Sequence, residues 1–331
     1  MIYQALAGDI GGTNARLAIV NVGDLAKPEI VHEARYRSST ASGLAALANQ
    51  FLEETGARPD VACFGIACPV IEGDCEAPNL PWKVNERALT REIGIPRTTI
   101  VNDFHAVGHG LFSLEDDDVE VLQQAVAAGH GPVALLGAGT GLGQGFLLWD
   151  STHYVFHPSE GGHADFAPTD ALERDLLTFL AKEFGRVSTE RILSGAGIGH
   201  IYRFLRSAGV AEEQSAVRVE MAGNDPAPVI TKHGLAGTDP LSVKTLEVFV
   251  GAYGTAAGNL ALAVLASGGV YIAGGIAPKI IGQLRSGAFM RAFRDKGRLS
   301  KVVARMPVRV ILTDDVALYG AAAVAARTLI D

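Results

Sequence analysis

Asp9 stands between two short apolar runs and is followed closely by a glycine pair, a hydroxyl and an amide, in AGDIGGTNAR (Ala7 to Arg16). A second segment, TTIVNDFHAVGHG, ends an apolar run on Asn102 and Asp103. A third, HPSEGGHADFAP, sets Glu160 and His163 around another glycine pair, and STERILSG adds Glu190. These residue types suit two kinds of chemistry: anion binding by backbone amides and proton abstraction by a carboxylate.

Adjacent glycines allow positive φ and let another molecule come close to the backbone. In a tight hairpin, successive N–H groups point into one concavity and hold an anion without Lys or Arg. Thr13 and Asn14 add donors. Asp9 suits a phosphate site only with Mg²⁺, held directly or through water. An ordinary Gly-Gly hairpin is the alternative for this segment alone. GAGTGLGQG (Gly137 to Gly145) repeats the design with Thr140 as its hydroxyl. Two such turns favour a phosphate clamp. Gly274 and Gly275, in VYIAGGIAP, could pass beneath a nucleoside or simply turn a strand into a helix. G-x-x-x-x-G-K-[ST] is absent, a strict G-x-G-x-x-G is missing from these turns, and a strand follows Gly143, which disfavours a Rossmann site.

Asp103, past the carboxyl end of a strand, is placed to take a proton from an attacking hydroxyl. The alternative is a helix N-cap. Asn102 either hydrogen-bonds a substrate or ties down its loop. Glu160 and His163 suit a polyol, since a carboxylate accepts bonds from neighbouring hydroxyls and an imidazole adds another. Glu190 joins them, or is a first-turn helix glutamate. Asn79, in APNLPWKV, could reach a sugar; Lys83 beside it reads as an exposed lysine or a phosphate contact. His153, His157 and His163 cluster without HExxH spacing, which argues against a metal site.

Apolar runs of strand length recur at residues 5–6, 17–20, 61–67, 98–101, 133–136, 146–149, 270–273 and 308–312. Helical stretches at 43–55, 85–93, 170–184, 198–208, 241–266 and 317–329 lie between or after them, which reads as α/β. YQALAGDIGGTNARLAIV and PVALLGAGTGLGQGFLLW share a strand, glycine turn, strand pattern and suggest a duplicated unit. The expected domains are 1–110, with a last helix about 315–331 packing back onto it, and 111–314.

The net charge of -8 and the lack of a Lys/Arg cluster exclude a nucleic-acid binder. LEDDDVE (Leu114 to Glu120) reads as a solvated loop or helix start. Cys63, Cys68 and Cys75 form an odd count without a signal peptide, which predicts reduced thiols in a cytoplasmic protein. Val248 to Pro278 carries no charge and is long enough for a bilayer. Its Gly/Ala content, Asn259 and the SGG break instead predict a buried helix to about Ala266 and a short strand, with no membrane partner.

GDIGGTNARLA, APNLPW, VNDFHAVGHG, LLGAGTGLG, PSEGGHADFAP, ERILSG and IAGGIAP, in this order, resemble the bacterial glucokinase family over about residues 6–320. These are ATP-dependent hexose kinases of the actin/hexokinase/Hsp70 superfamily. The resemblance implies a two-domain actin-like ATPase fold, ribonuclease H-like in each half, with the site in the interdomain cleft. It implies that Gly8, Asp9, Ile10, Gly11, Gly12, Thr13 and Asn14 form the first nucleotide loop, Gly139, Thr140 and Gly141 the second, and Gly274 and Gly275 the adenosine side. Asp103 would be the catalytic base, with Asn79, Asn102, Glu160, His163 and Glu190 holding glucose. MgATP is the implied cofactor, with Asp9 near Mg²⁺, and a homodimer the implied assembly. The cysteine-rich zinc motif of the repressor–kinase sugar family is absent, and LPW departs from many glucokinases before the Trp.

Other readings are a kinase of this fold for mannose, glucosamine or fructose, and a non-catalytic sugar-sensing regulator. The first glycine turn begins within ten residues of Met1, which is expected to leave no room for an N-terminal DNA-binding domain, and Asp9 and Asp103 are intact.

Overall fold

The computed structural model describes residues 2–23, 28–76, 80 and 82–329. They divide into two units, Met1–Asp118 with Thr313–Asp331, and Val119–Leu312.

In unit 1, strands β1 (Tyr3–Ile10), β2 (Asn14–Val22) and β3 (Glu29–Arg37) form an antiparallel meander. Helix α1 (Leu44–Thr55) leads into β4 (Val61–Ile66), followed by the short β5 (Val70–Ile71), β6 (Asp74–Cys75) and β7 (Val84–Asn85). Helix α2 (Glu86–Ile93) crosses to β8 (Arg97–Asn102), and α3 (Asp103–Gly110) follows at once. The main sheet runs β3-β2-β1-β4-β8, with β1, β4 and β8 parallel.

Strand alternation divides the core. Leu6, Leu17, Ile19, Phe64 and Ile100 face α1 and α2, while Ala5, Ala7, Ala18, Val20 and Val101 face the other way. The C-terminal helix, Val316–Arg327, covers that second face with Leu318, Ala321, Ala322 and Ala325. Small residues permit this. A Cβ on Gly320 would stand 1.7 Å from the Ala106 carbonyl oxygen, and one on Gly110 would stand 1.9 Å from that of Val316. The helix therefore lies against the backbone of α3 and sets where Asp103 begins.

Unit 2 holds β9 (Val119–Gln123), β10 (Val133–Ala138), β11 (Leu142–Trp149) and β12 (Tyr154–Ser159). Helices α4 (Ala171–Phe184), α5 (Gly195–Ser207), α6 (Ser215–Met221), α7 (Pro226–Ala236) and α8 (Pro240–Val264) come next. They are followed by β13 (Gly269–Ala273), α9 (Ile281–Arg285), α10 (Ala288–Arg294), α11 (Ser300–Val303) and β14 (Val308–Ile311). The sheet order is β12-β11-β10-β13-β14-β9. Its first five strands repeat the order and senses of unit 1: an antiparallel meander whose first strand continues into parallel neighbours.

Helix α8 is long and apolar enough to cross a membrane by length and composition, and 61% of its apolar window is buried in the fold. Leu241, Leu246, Phe249, Val250 and Tyr253 put it at the centre of the unit 2 core.

Among the described residues, three strands longer than two residues lack a clear apolar run. β3, EIVHEARYR, is mostly exposed at the sheet edge; β9 begins inside the acidic run, directly after a 3-10 turn at Asp116–Asp118; β12 takes up the start of HPSEGG. The short β5–β6 hairpin also overturns the reading of all cysteines as thiols. Cys68, two residues before β5, is joined by a disulfide to Cys75 of β6, and Cys63 alone is free and buried.

Candidate active site

β1 and β2 stay paired up to Ile10 and Ala15, so Gly11 to Asn14 must close the hairpin. The Gly11 amide donates to the Asn14 carbonyl at 2.9 Å. The Ser38 hydroxyl donates to the Gly11 carbonyl at 2.7 Å, and its amide donates to that of Thr13 at 3.0 Å. Among the described residues the amides of Gly12 and Thr13 have no acceptor. The hairpin thus turns its carbonyls inward and leaves donors for an anion. The expected positive φ is not used: neither Gly11 nor Gly12 has left-handed backbone. At Gly11 the constraint is space, since a Cβ there would stand 3.3 Å from the Asn14 carbonyl oxygen. Gly8 and Ile10 are buried, and a Cβ on Gly8 would lie 2.4 Å from the Phe64 ring.

Asp9 pairs across the hairpin with Arg16, which places the two side chains on one face of the sheet. Arg16 is 7% exposed. Its guanidinium donates to Glu33 at 3.0 Å, to the Asp314 carbonyl at 2.7 Å and to Asp315 at 2.5 Å. Burial holds the Asp9 carboxyl above its usual range; Arg16 opposes this and the charge of Asp314 adds to it. A cation at Asp9 would relieve both burial and repulsion, so the residues fit Mg²⁺ beside a phosphate.

Parallel register links this hairpin to Asp103. Ile10 pairs with Ile66, and Ile66 with Asn102, so the carboxyl ends of β1, β4 and β8 lie on one row. Strands are about 4.8 Å apart, which puts Asn102 about 10 Å from Ile10. Gly65 allows α3 to pack over β4, since a Cβ there would stand 2.9 Å from the Ala106 Cβ. Asn102, not Asp103, is the N-cap of α3: its Oδ1 accepts from the Phe104 amide at 3.0 Å and its Nδ2 donates to the Cys68 carbonyl at 3.1 Å. Asn102 therefore ties down the loop. Asp103 Oδ1 accepts from the Phe104 amide at 2.8 Å. Burial pushes its carboxyl up to about 6, helped by the charge of Asp9 and opposed by the bonds from Phe104 and Asn102. A carboxylate tuned near neutrality suits a general base.

In unit 2, the Gly139 amide donates to the Gly141 carbonyl at 2.8 Å, and the Gly139 carbonyl accepts from Gly195 at 2.8 Å. A Cβ on Gly139 would meet nothing within 4 Å, so the turn is open on that side. Thr140 is exposed at its tip. Gly274 has φ +82, and a Cβ there would lie 2.4 Å from the Ala138 carbonyl oxygen. Gly137 pairs with Ala273, so the Gly274–Gly275 turn and the Gly139–Gly141 turn share one sheet edge. Tyr253, fully buried, joins them: its hydroxyl accepts from the Ala138 amide at 3.0 Å and donates to the Ala273 carbonyl at 3.2 Å.

The three polyol candidates converge on one imidazole. His163 Nδ1 lies 3.7 Å from Glu190 Oε1, and Nε2 lies 3.8 Å from Glu160 Oε2. Glu190 also accepts from the Leu142 amide at 2.8 Å, and a Cβ on Gly141 would come within 2.6 Å of its Oε2. Gly162 makes this possible, since a Cβ there would sit 2.1 Å from the Leu142 carbonyl oxygen. The glycine pair thus presses Glu160 and His163 against the second turn.

The sequence profile of the family described as Glucokinase matches residues 6–328. The chain belongs to the glucokinase family. A glucokinase of Nostoc sp. (strain PCC 7120) is 43% identical over 97% of this chain and 98% of its own length. A solved glucokinase from an Antarctic psychrotroph superposes with a TM-score of 0.87 at 29% identity, covering 99% of this chain and 100% of that one. A Streptomyces griseus ROK family glucokinase, solved with glucose and AMPPNP, shares the fold with a TM-score of 0.68 at 19% identity, over 98% and 99% of the two chains. The fold is that of the actin-like ATPases.

Within this glucokinase-family chain, Asn79 lies outside the described residues. Lys83 pairs with Glu76 at 2.8 Å in an exposed contact, as the simpler reading of it requires. No group of metal-binding side chains occurs among the described residues. Sequence reasoning missed Arg16, Ser38 and Tyr253. Arg16 carried a signal, a lone cation in an apolar strand next to the glycine turn. Ser38 and Tyr253 carried none, since each acts through contacts distant in sequence.

Proposed function

We propose that this protein is a glucokinase that transfers the γ-phosphoryl group of ATP to the C6 hydroxyl of glucose. The observation that carries the reading is the common row of Ile10, Ile66 and Asn102, which sets an amide-lined hairpin and Asp103 at one sheet edge. Asp103 takes the C6 hydroxyl proton as the sugar oxygen attacks the γ-phosphorus and the bond to ADP breaks. In unit 1 the amides of Gly12 and Thr13 hold phosphate oxygens; in unit 2 the second turn offers the amides of Thr140 and Gly141, since that of Gly139 is bonded to the Gly141 carbonyl. Mg²⁺, when bound near Asp9, neutralises phosphate charge. Gly274 and Gly275 give the nucleoside a surface without side chains. Glu160, His163 and Glu190 accept and donate to sugar hydroxyls, and Asn102 fixes the start of α3. The protein acts in the cytoplasm as a homodimer.

The test is ADP release with glucose, mannose, glucosamine and fructose, each with and without Mg²⁺. Glucose should give the highest kcat/KM, and only with the metal. Faster turnover of another hexose reassigns the substrate, and no ADP with any sugar ends the proposal. Sedimentation of the purified protein checks the dimer.

A further inference from the structure

Two carbonyls of the phosphate hairpin, those of Gly11 and Thr13, are held by Ser38. This serine follows β3, is fully buried, and opens a 3-10 turn at Ser38–Thr40. Its hydroxyl bonds the Gly11 carbonyl and its amide bonds the Thr13 carbonyl, at 2.7 and 3.0 Å. Its own carbonyl accepts from the Trp82 indole N–H at 3.1 Å. All three contacts lie within unit 1.

These bonds act on peptide planes. Holding the Gly11 carbonyl inward points the Gly12 amide outward, because the two groups of one peptide are antiparallel and rigidly planar. Holding the Thr13 carbonyl fixes the Asn14 amide of that peptide in the same way. Glycines at 11 and 12 make the hairpin permissive, so something outside it must choose one orientation. A binding site of backbone amides gains affinity only if its donors are already aimed before the ligand arrives.

We propose that Ser38 is a positioning residue for nucleotide binding: it aims the amides of the Gly11–Asn14 hairpin at phosphate, and Trp82 locks it in place. The inference rests on the reading of that hairpin as a phosphate site. Ser38 is fully buried and acts through the hairpin backbone it bonds.

The experiment measures KM for ATP and for glucose, and Mg-ADP binding by calorimetry without sugar, in S38A, W82F and G12V. Removing the hydroxyl donor should weaken Mg-ADP and raise KM for ATP about tenfold in S38A. KM for glucose should change by less than about twofold. W82F keeps the ring and loses the N–H, so it should move the same quantities in the same direction by a smaller factor. It tests the inference even if S38A folds poorly. Wild-type nucleotide binding in S38A and W82F, or equal effects on both substrates, overturns the inference. G12V adds bulk at the hairpin and separates the two levels. If G12V loses nucleotide while S38A binds normally, only the role of Ser38 fails. If G12V binds nucleotide normally, the phosphate reading itself fails.

Discussion

Replacing Asp103 with Asn should remove most of the activity and stabilise the fold. Asn is nearly isosteric and keeps an oxygen to accept from the Phe104 amide, so the start of α3 is preserved. It cannot take a proton. Loss of a general base costs about 10²–10⁴ in kcat, or about 3–5 kcal/mol of transition-state stabilisation. Stability moves the other way. The Asp103 carboxyl is raised from 3.8 to about 6, chiefly by burial, so its charged form is disfavoured in the fold. The folded chain holds this proton over a pH range where the unfolded chain has released it. Stability therefore falls as pH rises through that window, by up to about 3 kcal/mol once the group is ionised. Asn avoids this cost, so D103N should raise Tm at neutral pH and lose the gain below about pH 4. Steady-state ADP release and a thermal melt at several pH values measure both. In the wild type, kcat/KM for glucose should fall tenfold per pH unit below about 6, as the base is protonated. A variant within tenfold of wild-type kcat, or one that loses stability together with activity, would refute the assignment.

Glu160→Gln keeps the size of an exposed side chain and removes its charge, so KM for glucose should rise about tenfold while KM for ATP stays within about twofold. Equal shifts in both constants would remove Glu160 from the sugar contacts. Gly162→Ala drives a methyl to 2.1 Å from the Leu142 carbonyl oxygen, so the loop must shift. The cost should be about 1–3 kcal/mol in stability with a raised KM for glucose; a variant equal to wild type in melt and kinetics would show that the glycine pair does not set Glu160 and His163.

The chain's own letters determined the α/β class, the central strands of both sheets, the helices α1, α2, α4, α5 and α8 and the C-terminal one, the duplicated glycine turns and the chemistry-bearing residues. They could do so because apolar period, glycine pairs and the order of acids and amides are local properties. β3 and β9 were not legible, since edge strands need not bury an apolar face and their exposed residues look like loop. The Cys68–Cys75 pairing depended on a two-residue hairpin that no periodicity announces. Asp103 was readable as a base or a helix cap, and Asn102 as a substrate contact or a loop tie. Only the Phe104 and Cys68 contacts assigned the cap to Asn102 and left Asp103 as the raised carboxylate. Burial of Asp9 and Asp103, the convergence of Glu160 and Glu190 on His163, and the hold of Ser38 on the hairpin all join residues far apart in sequence. Desolvation and register arise only when strands pair and helices cover them, so the tertiary structure alone decided how these groups are charged and aimed.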